Sequence, residues 1–305
     1  MGLREEHLSN NDAKIKRLTG EYREIYESYI MPVDLNIDFD QVILSKENRD
    51  KYMRLIKETE YSDRLVEFGL KPTNRAILYG ASGTGKTFST KALANYLGYT
   101  MLYVDIGEAL SSGEVSKHIK DIFKLGDYIG HCIIFFDECD SIAIKRQNNA
   151  GADAGTMRRA TNTIFQCLDQ MSYKNIFMAC TNLESQLDAA FLRRFQIKMQ
   201  FKKPDMDLKD SVRHFMKAYP KFSIIDDVDS RVETIINKRA KQNARLSYYE
   251  IEEITYRVMK DAVLSDSEEV HMQDVFMELA NSMGVRLKFM EDQDSFDNVT
   301  KAMDL

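Results

Sequence analysis

The residues best suited to chemistry lie in one glycine-rich turn, GASGTGKT, at positions 80–87. Glycines lack a Cβ atom, so the backbone of such a turn can point successive N–H groups at a polyphosphate. In this spacing Lys86 can reach the β- and γ-phosphates, and the Thr87 hydroxyl can hold Mg²⁺. An ordinary glycine turn is the alternative, but the apolar run before it and the helical pattern after it favour phosphate binding. The predicted nucleotide-binding residues are Gly80, Ala81, Ser82, Gly83, Thr84, Gly85, Lys86, Thr87 and Phe88.

Two adjacent carboxylates end a second apolar run, Ile133–Glu138. The carboxyl end of a buried strand is the edge at which α/β sheets bind ligands. We expect Asp137 to hold the hydration shell of Mg²⁺, and Glu138 to orient and deprotonate the water that attacks the γ-phosphate. The alternative, in which both acids only cap the next helix, is disfavoured by the phosphate-binding turn upstream. Asp140 is interpreted as a solvated acid or a helix cap, outside the chemistry.

Polar side chains also follow the later apolar runs. Asn182 is predicted to lie at the same sheet edge beside the γ-phosphate, where its amide can position the water. Arg193 and Arg194, the arginine pair, end a predicted helix. Surface salt bridging is one interpretation of the pair. The other is an arginine that reaches a neighbouring subunit's nucleotide and stabilises the charge on the transferred phosphoryl group. The predicted catalytic residues are therefore Glu138, Asn182, Arg193 and Arg194, and the predicted metal ligands are Thr87 and Asp137.

The elements that position these residues alternate between short apolar runs and longer helical patterns from Arg75 onward. This alternation is typical of a parallel sheet covered by helices. The predicted fold class is α/β, with a five-stranded parallel sheet sandwiched by helices and a small all-helical domain after it. The strands are predicted at Ala76–Tyr79, Met101–Asp105, Cys132–Phe136, Asn175–Cys180 and Ile197–Phe201.

The chain is predicted to have four parts. They are an N-terminal helical arm at 1–36, an α/β domain at 37–204, a helical domain at 205–290 and an acidic tail at 291–305. Apolar residues in the arm recur at helical spacing, which favours a helix folded against the body over a docking arm for a partner. In the helical domain, Ser247 and Glu250 form an S-x-x-E capping box that predicts a helix start.

Composition excludes several classes of protein. The 44% hydrophobic content is enough for ordinary cores, and no run approaches the roughly 18 to 20 apolar residues of a membrane span. We therefore expect a cytoplasmic protein without a membrane partner. The four cysteines show no paired metal spacing and are expected to be buried thiols. The net charge of −6 argues against broad nucleic-acid binding.

Together and in this order, these motifs resemble the AAA+ superfamily, and within it the AAA clade of FtsH-type proteases, proteasomal ATPases and SpoVK-like proteins. Gly80–Thr87 is similar to Walker A, and Ile133–Glu138 to Walker B. Asn182 is similar to sensor 1, and the arginine pair to arginine fingers. The resemblance covers roughly residues 38–283 and is greatest to compact prokaryotic or phage ATPases with one ring. It implies ATP and Mg²⁺ as cofactors, a helical lid, and a homo-oligomeric ring, commonly a hexamer, with ATP bound between protomers.

Three segments depart from that pattern. Ala81 and Ser82 replace the usual Pro-Pro of the phosphate loop, which leaves every phosphate-facing group in place. The helical domain has no clear sensor-2 arginine. Arg245 lies near the expected position and is the candidate. At 108–115, the position of the first pore loop, serines precede Gly113 where threading enzymes carry an aromatic residue. An aromatic side chain grips an extended peptide through a large contact area that serine lacks. The segment 147–157 resembles a second pore loop or is an inert surface loop.

Three functions compete. The leading hypothesis is a ring ATPase that remodels a protein substrate or assembly. The alternative is a nucleotide-gated module that recruits a partner such as a protease or nuclease without processive threading, which the pore-loop serines favour. DNA-linked ATPase activity is the third, and the acidic balance disfavours it.

Overall fold

A computed structural model gives the structure of residues 15–111, 114–140, 152–183, 187, 189–204, 207–242 and 246–285. The chain divides into two compact units, residues 1–202 and 203–305. The first unit contains the central sheet, and the second is mainly helical. Within these ranges, no helix combines the length and the apolar character needed to cross a membrane.

A six-stranded sheet with the order β1-β3-β4-β5-β2-β6 forms the centre of the first unit. Five of its strands are parallel and confirm the predicted fold class: β2 Arg75–Gly80, β3 Thr100–Val104, β4 Cys132–Phe136, β5 Ile176–Thr181 and β6 Ile197–Phe201. The sixth strand, β1 at Ile30–Met31, pairs antiparallel with β3. The five predicted strands are therefore the five parallel ones, and the sheet has one further, antiparallel strand that sequence analysis missed, because a strand of two residues is too short to show a periodic pattern.

Helices cover both faces of this sheet. They are α1 Gly20–Tyr29, α2 Lys46–Glu60, α3 Ser62–Glu67, α4 Lys86–Leu97, α5 Ile106–Ser111, α6 Val115–Ile129, α7 Ala152–Gln170 and α8 Ala189–Leu192. Successive strand residues enter two separate cores: Ile134 and Phe136 lie in one, and Ile133 and Phe135 lie in the other. All five residues of β4 are buried, as expected for a strand covered on both faces.

Helix α1 packs against this unit. Ile25 is buried in one of the two cores, together with Leu18 just before the helix. The ring of Tyr22 stacks on Tyr128 of α6, with centroids 4.6 Å apart. These contacts match the interpretation of a helix folded against the body.

The second unit contains helices α9 Leu208–Met216, α10 Ser230–Gln242, α11 Tyr248–Leu264 and α12 Met272–Ser282 around a core of its own. It is not all-helical, because β7 at Ser223–Ile225 pairs in parallel with β8 at Glu269–His271. Strands of three residues leave almost no alternation for sequence analysis to detect. The capping box is present, with the Glu250 carboxylate accepting the Ser247 N–H at 2.7 Å.

Candidate nucleotide-binding site

The glycine-rich turn connects β2 to α4 at the carboxyl edge of the parallel strands. Gly80 has a φ of 144°, and a Cβ atom added there would lie 1.9 Å from the carbonyl oxygen of Phe201 on β6. Any other residue at Gly80 would therefore displace the neighbouring strand. Gly83 and Gly85 have φ values of 71° and 95°, which favour glycine. The shape of the turn thus depends on glycine at these positions.

Lys86 is the buried cation of this turn, with 7% exposure. Its Nζ donates to the carbonyl oxygens of Gly80 and Ala81 and to Oδ1 of Asn182, each at 2.8 Å. Three acceptors match the three donors of an ammonium group. Burial lowers the pKa of Lys86, and the charge of Asp137 acts in the opposite direction. The contact with Asn182 fixes the ammonium between the turn and the residue that follows β5.

The two predicted metal ligands are in direct contact. Oδ2 of Asp137 accepts a hydrogen bond from Oγ1 of Thr87 at 2.8 Å, and Oδ1 accepts one from the Glu138 N–H at 3.0 Å. Mg²⁺ prefers oxygen ligands and is held through one or two carboxylates plus the phosphates of a substrate. A hydroxyl and a carboxylate at the base of the turn fit that ion. We call residues 80–88 together with Asp137 and Asn182 the nucleotide cradle.

Tyr103 belongs to the same cluster, and sequence analysis missed it. Its hydroxyl donates to Oδ2 of Asp137 at 2.9 Å, and its ring stacks on Phe135 with centroids 5.2 Å apart. Burial and the Asp137 charge raise the pKa of the Tyr103 phenol, so it remains a donor at neutral pH. Tyr103 and Phe135 are register partners on β3 and β4. A tyrosine at the end of a predicted strand was the available signal, but the strand order was needed to place it beside Asp137.

The two other acids after β4 differ in exposure. Glu138 is exposed and has a φ of 49°, a left-handed conformation that is uncommon for residues other than glycine. Such strain costs about 1–3 kcal/mol and is concentrated at functional sites. Oδ1 of Asp140 is buried and has no hydrogen-bond partner in the described part of the chain. Of the two interpretations of Asp140, a solvated acid or a helix cap, the first does not fit this buried oxygen.

The arginine pair follows α8, and its two members have different surroundings. The Arg194 guanidinium contacts both carboxylate oxygens of Asp169, at 3.1 and 2.9 Å, and lies 5.0 Å from the ring centroid of Phe165. Arg75 also pairs with Asp169, at 3.4 Å. Arg193 is exposed, and its side chain makes no ion pair within the described residues. Arg194 is thus anchored within its own unit, whereas Arg193 is turned to the surface.

Several predicted features lie outside the described residues. They are Ser112 and Gly113 of the first pore-loop position, residues 147–151 of the second, the sensor-2 candidate Arg245 and the acidic tail. The predicted burial of the cysteines is confirmed for all four: Cys132, Cys139, Cys167 and Cys180.

Comparison with known proteins agrees with this geometry. Residues 76–203 match the family described as "ATPase family associated with various cellular activities (AAA)". A protein of Sinorhizobium fredii described as an uncharacterized AAA family ATPase is 26% identical over 255 residues, which cover 83% of this chain and 73% of that protein. The matched family segment contains the glycine-rich turn, both carboxylates after β4, Asn182 and the arginine pair. An AAA domain supports nucleotide binding and ATP-driven activity in general. Residues 76–203 of this chain therefore form a domain of the AAA ATPase family.

Proposed function

We propose that this protein is an oligomeric Mg²⁺-ATPase that uses ATP hydrolysis to remodel a protein substrate or assembly. The observation that carries the proposal is the 2.8 Å contact between Nζ of Lys86 and Oδ1 of Asn182. It brings a cation of the phosphate-binding turn to a polar group at the end of β5, next to the pair formed by Thr87 and Asp137. Phosphoryl transfer needs such positioned charges more than it needs covalent chemistry.

Each group of the nucleotide cradle then has a role. Residues 80–88 surround the phosphates, and the Lys86 ammonium leaves its carbonyl acceptors for the β- and γ-phosphate oxygens. Thr87 and Asp137 would hold the metal, and the Tyr103 hydroxyl keeps the Asp137 carboxylate in place. When bound, Mg²⁺ neutralises charge on the phosphate oxygens.

Glu138 and Asn182 act on the attacking water. Glu138 is exposed at the end of β4, where its carboxylate can accept a proton from that water. Asn182, next to Lys86, orients it. The left-handed backbone of Glu138 supports a functional role, because such conformations cluster at functional sites.

Arg193 is proposed as the residue that completes the site of a neighbouring subunit. The contacts with Asp169 hold Arg194 on its own unit. Arg193 is therefore the member of the pair that is available to a second chain. A homo-oligomeric ring, with six subunits as the expected number, places such an arginine at every interface. The proposal includes a cytoplasmic location and an unidentified protein partner, with a protease as one candidate class.

The substitution Glu138→Gln tests the proposal. We expect hydrolysis to fall by about 10²- to 10⁴-fold, because a general base contributes rate of that size. Binding of a fluorescent ATP analogue should persist, since the amide keeps the size of the side chain. Glu60→Gln, a change at another exposed acid, is the matched control. A Glu138→Gln variant that hydrolyses ATP at the wild-type rate contradicts the proposal.

A second candidate function is a nucleotide-gated assembly module that recruits a protease or nuclease partner without threading polypeptide. The serines at the first pore-loop position, Ser111 and Ser112, favour it. Unfolding of a stably folded fluorescent test protein distinguishes the two functions. ATP-dependent loss of its fluorescence supports remodelling, and unchanged fluorescence during ATP hydrolysis supports the recruitment module.

A further inference from the structure

A chain of buried hydroxyl groups connects helix α2 to the first turn of α4. The Tyr52 hydroxyl on α2 donates to Oγ of Ser89 at 2.8 Å, and Oγ of Ser89 donates to the carbonyl oxygen of Lys86 at 2.7 Å. Thr90 adds a further hydroxyl, whose Oγ1 donates to the same carbonyl at 3.2 Å. Tyr52, Ser89 and Thr90 all have 0% exposure. We call Tyr52, Ser89 and the Lys86 carbonyl the hydroxyl relay, and it ends on the backbone of the residue that carries the cation of the nucleotide cradle.

The direction of each hydrogen bond in the relay follows from the groups present. The Lys86 carbonyl can only accept, so the single hydroxyl proton of Ser89 is used on it. Tyr52 must then supply the proton between the two side chains. Burial raises the pKa of the Tyr52 phenol, so this proton is present at neutral pH. The relay therefore has one polarity, from α2 towards the cradle.

Helix α2 is also attached to the strand behind the glycine-rich turn. Nδ2 of Asn48, a residue with 4% exposure, donates to the carbonyl oxygen of Gln200 at 2.7 Å. Nζ of Lys51 donates to a second carbonyl oxygen of β6, also at 2.7 Å. This is the strand whose Phe201 carbonyl lies against Gly80. Helix α2 thus connects both ends of the turn, with bonds to β6 beside the first glycine and to α4 at the lysine.

We propose that Tyr52 is a positioning residue for nucleotide binding, and that it acts through Ser89 on the backbone of Lys86. The relay holds the start of α4 relative to β6, so the turn keeps its shape before a nucleotide arrives. Binding to a site that is already ordered avoids the cost of ordering it during binding. Loss of the Tyr52 hydroxyl therefore weakens ATP binding and leaves the rate of the bound complex unchanged. The inference rests on the proposed function, because the site concerned is the one proposed there for ATP.

The substitution Tyr52→Phe tests the inference, because it removes the hydroxyl and keeps the ring in the core. We expect the KM for ATP and the Kd of a fluorescent ATP analogue to rise by about five-fold, the equivalent of one hydrogen bond. The kcat should stay within about two-fold of the wild-type value. Tyr99→Phe is the matched control, since Tyr99 has 3% exposure and precedes β3 at the amino edge of the parallel strands. It should change neither KM nor Kd.

A double-mutant cycle tests whether the effect passes through Ser89. Ser89→Ala removes both the acceptor of Tyr52 and a donor to Lys86, and should raise the KM for ATP at least as much as Tyr52→Phe. In the Ser89→Ala background, Tyr52→Phe should change KM by less than about two-fold, because the relay is already broken. Two effects that multiply independently overturn the relay. If Tyr52→Phe fails to fold, Ser89→Ala alone decides, and an unchanged KM overturns the inference.

A purely structural role for Tyr52 gives a different result. Urea denaturation would then show a lower free energy of unfolding for Tyr52→Phe, while its KM for ATP would equal that of the wild type, and this outcome overturns the inference. If the wild type hydrolyses ATP in that case, the proposed ATPase stands and only the positioning role is wrong. If the wild type neither binds nor hydrolyses ATP, the proposed function is wrong and the inference falls with it.

Discussion

The nucleotide cradle and the arginine pair differ in how much of their geometry a single chain supplies. In the cradle, Lys86 and Asp137 have hydrogen-bond partners from several elements of the first unit. In the pair, Arg194 is anchored on Asp169, whereas Arg193 is exposed. One chain thus organises the part of the site that we propose for phosphate and metal binding, and leaves Arg193 exposed. The difference supports the proposal that Arg193 completes the site of another subunit.

The largest effect that separates the two regions is expected for Arg193→Ala. Hydrolysis should fall by about 10³-fold, the lower end of the contribution made by an arginine that stabilises transferred phosphoryl charge. Nucleotide binding should be retained, because the cradle of each chain is intact. Steady-state kinetics and nucleotide titration measure the two quantities. Arg158→Ala removes another exposed arginine and is the control. An unchanged kcat would show that Arg193 is only a solvated surface residue without a role in hydrolysis.

Lys86→Ala should weaken ATP binding at the nucleotide cradle. We expect ATP affinity to fall by at least about 100-fold, since removing one partner of a buried charge pair costs about 2–5 kcal/mol. Isothermal titration calorimetry gives the affinity directly. Lys91→Ala, a lysine change on the same helix α4, should leave affinity unchanged. Equal affinities for wild type and Lys86→Ala would remove the basis for placing the phosphates at this turn.

Tyr103→Phe should raise the Mg²⁺ concentration that hydrolysis requires. The variant keeps the ring on Phe135 and loses one hydrogen bond to Asp137, worth about 1 kcal/mol or roughly five-fold in an equilibrium constant. The Mg²⁺ concentration for half-maximal hydrolysis should rise by about that factor. Tyr173→Phe removes a tyrosine hydroxyl that donates to another carboxylate, Asp63, and should not change it. If Tyr103→Phe lowers only the melting temperature, the residue is structural.

Arg194→Ala should have the smallest effect of these changes. It should lower stability more than it lowers the rate of hydrolysis. The Asp169 and Phe165 contacts are partly exposed, so their loss should lower the free energy of unfolding by about 1 kcal/mol. Urea denaturation measures it. Arg194→Lys keeps the charge and loses the two-oxygen contact, and should lie between the wild type and Arg194→Ala. A loss of hydrolysis equal to that of Arg193→Ala, without a change in stability, would exchange the roles of the two arginines.

The sequence predicts the position and the shape of the glycine-rich turn because the spacing that defines it is local. Eight consecutive residues define the glycine-rich turn, and the apolar runs at Arg75–Gly80 and Cys132–Phe136 indicate β2 and β4 without knowledge of the strand order. Strand order is the information that a single sequence lacks. It places Tyr103 on the strand next to Asp137, and therefore this residue was missed. The short strands β1, β7 and β8 were missed because two or three residues show no periodicity.

The arginine pair shows a second limit of sequence analysis. Two adjacent identical residues cannot be distinguished by pattern. The distinction comes from Asp169, 25 positions before Arg194 in the chain. Long-range contacts of this kind depend on packing between elements, here α7 against the residues after α8.

Mixing two inactive variants tests the shared active site most directly. Glu138→Gln has an intact Arg193, and Arg193→Ala has an intact Glu138. If Arg193 acts on the neighbouring subunit, an Arg193→Ala cradle beside a Glu138→Gln subunit is complete, and about a quarter of the interfaces in a random equimolar ring are of this kind. The account predicts that the mixture regains about a quarter of wild-type ATPase activity. A mixture as inactive as its two components would contradict it.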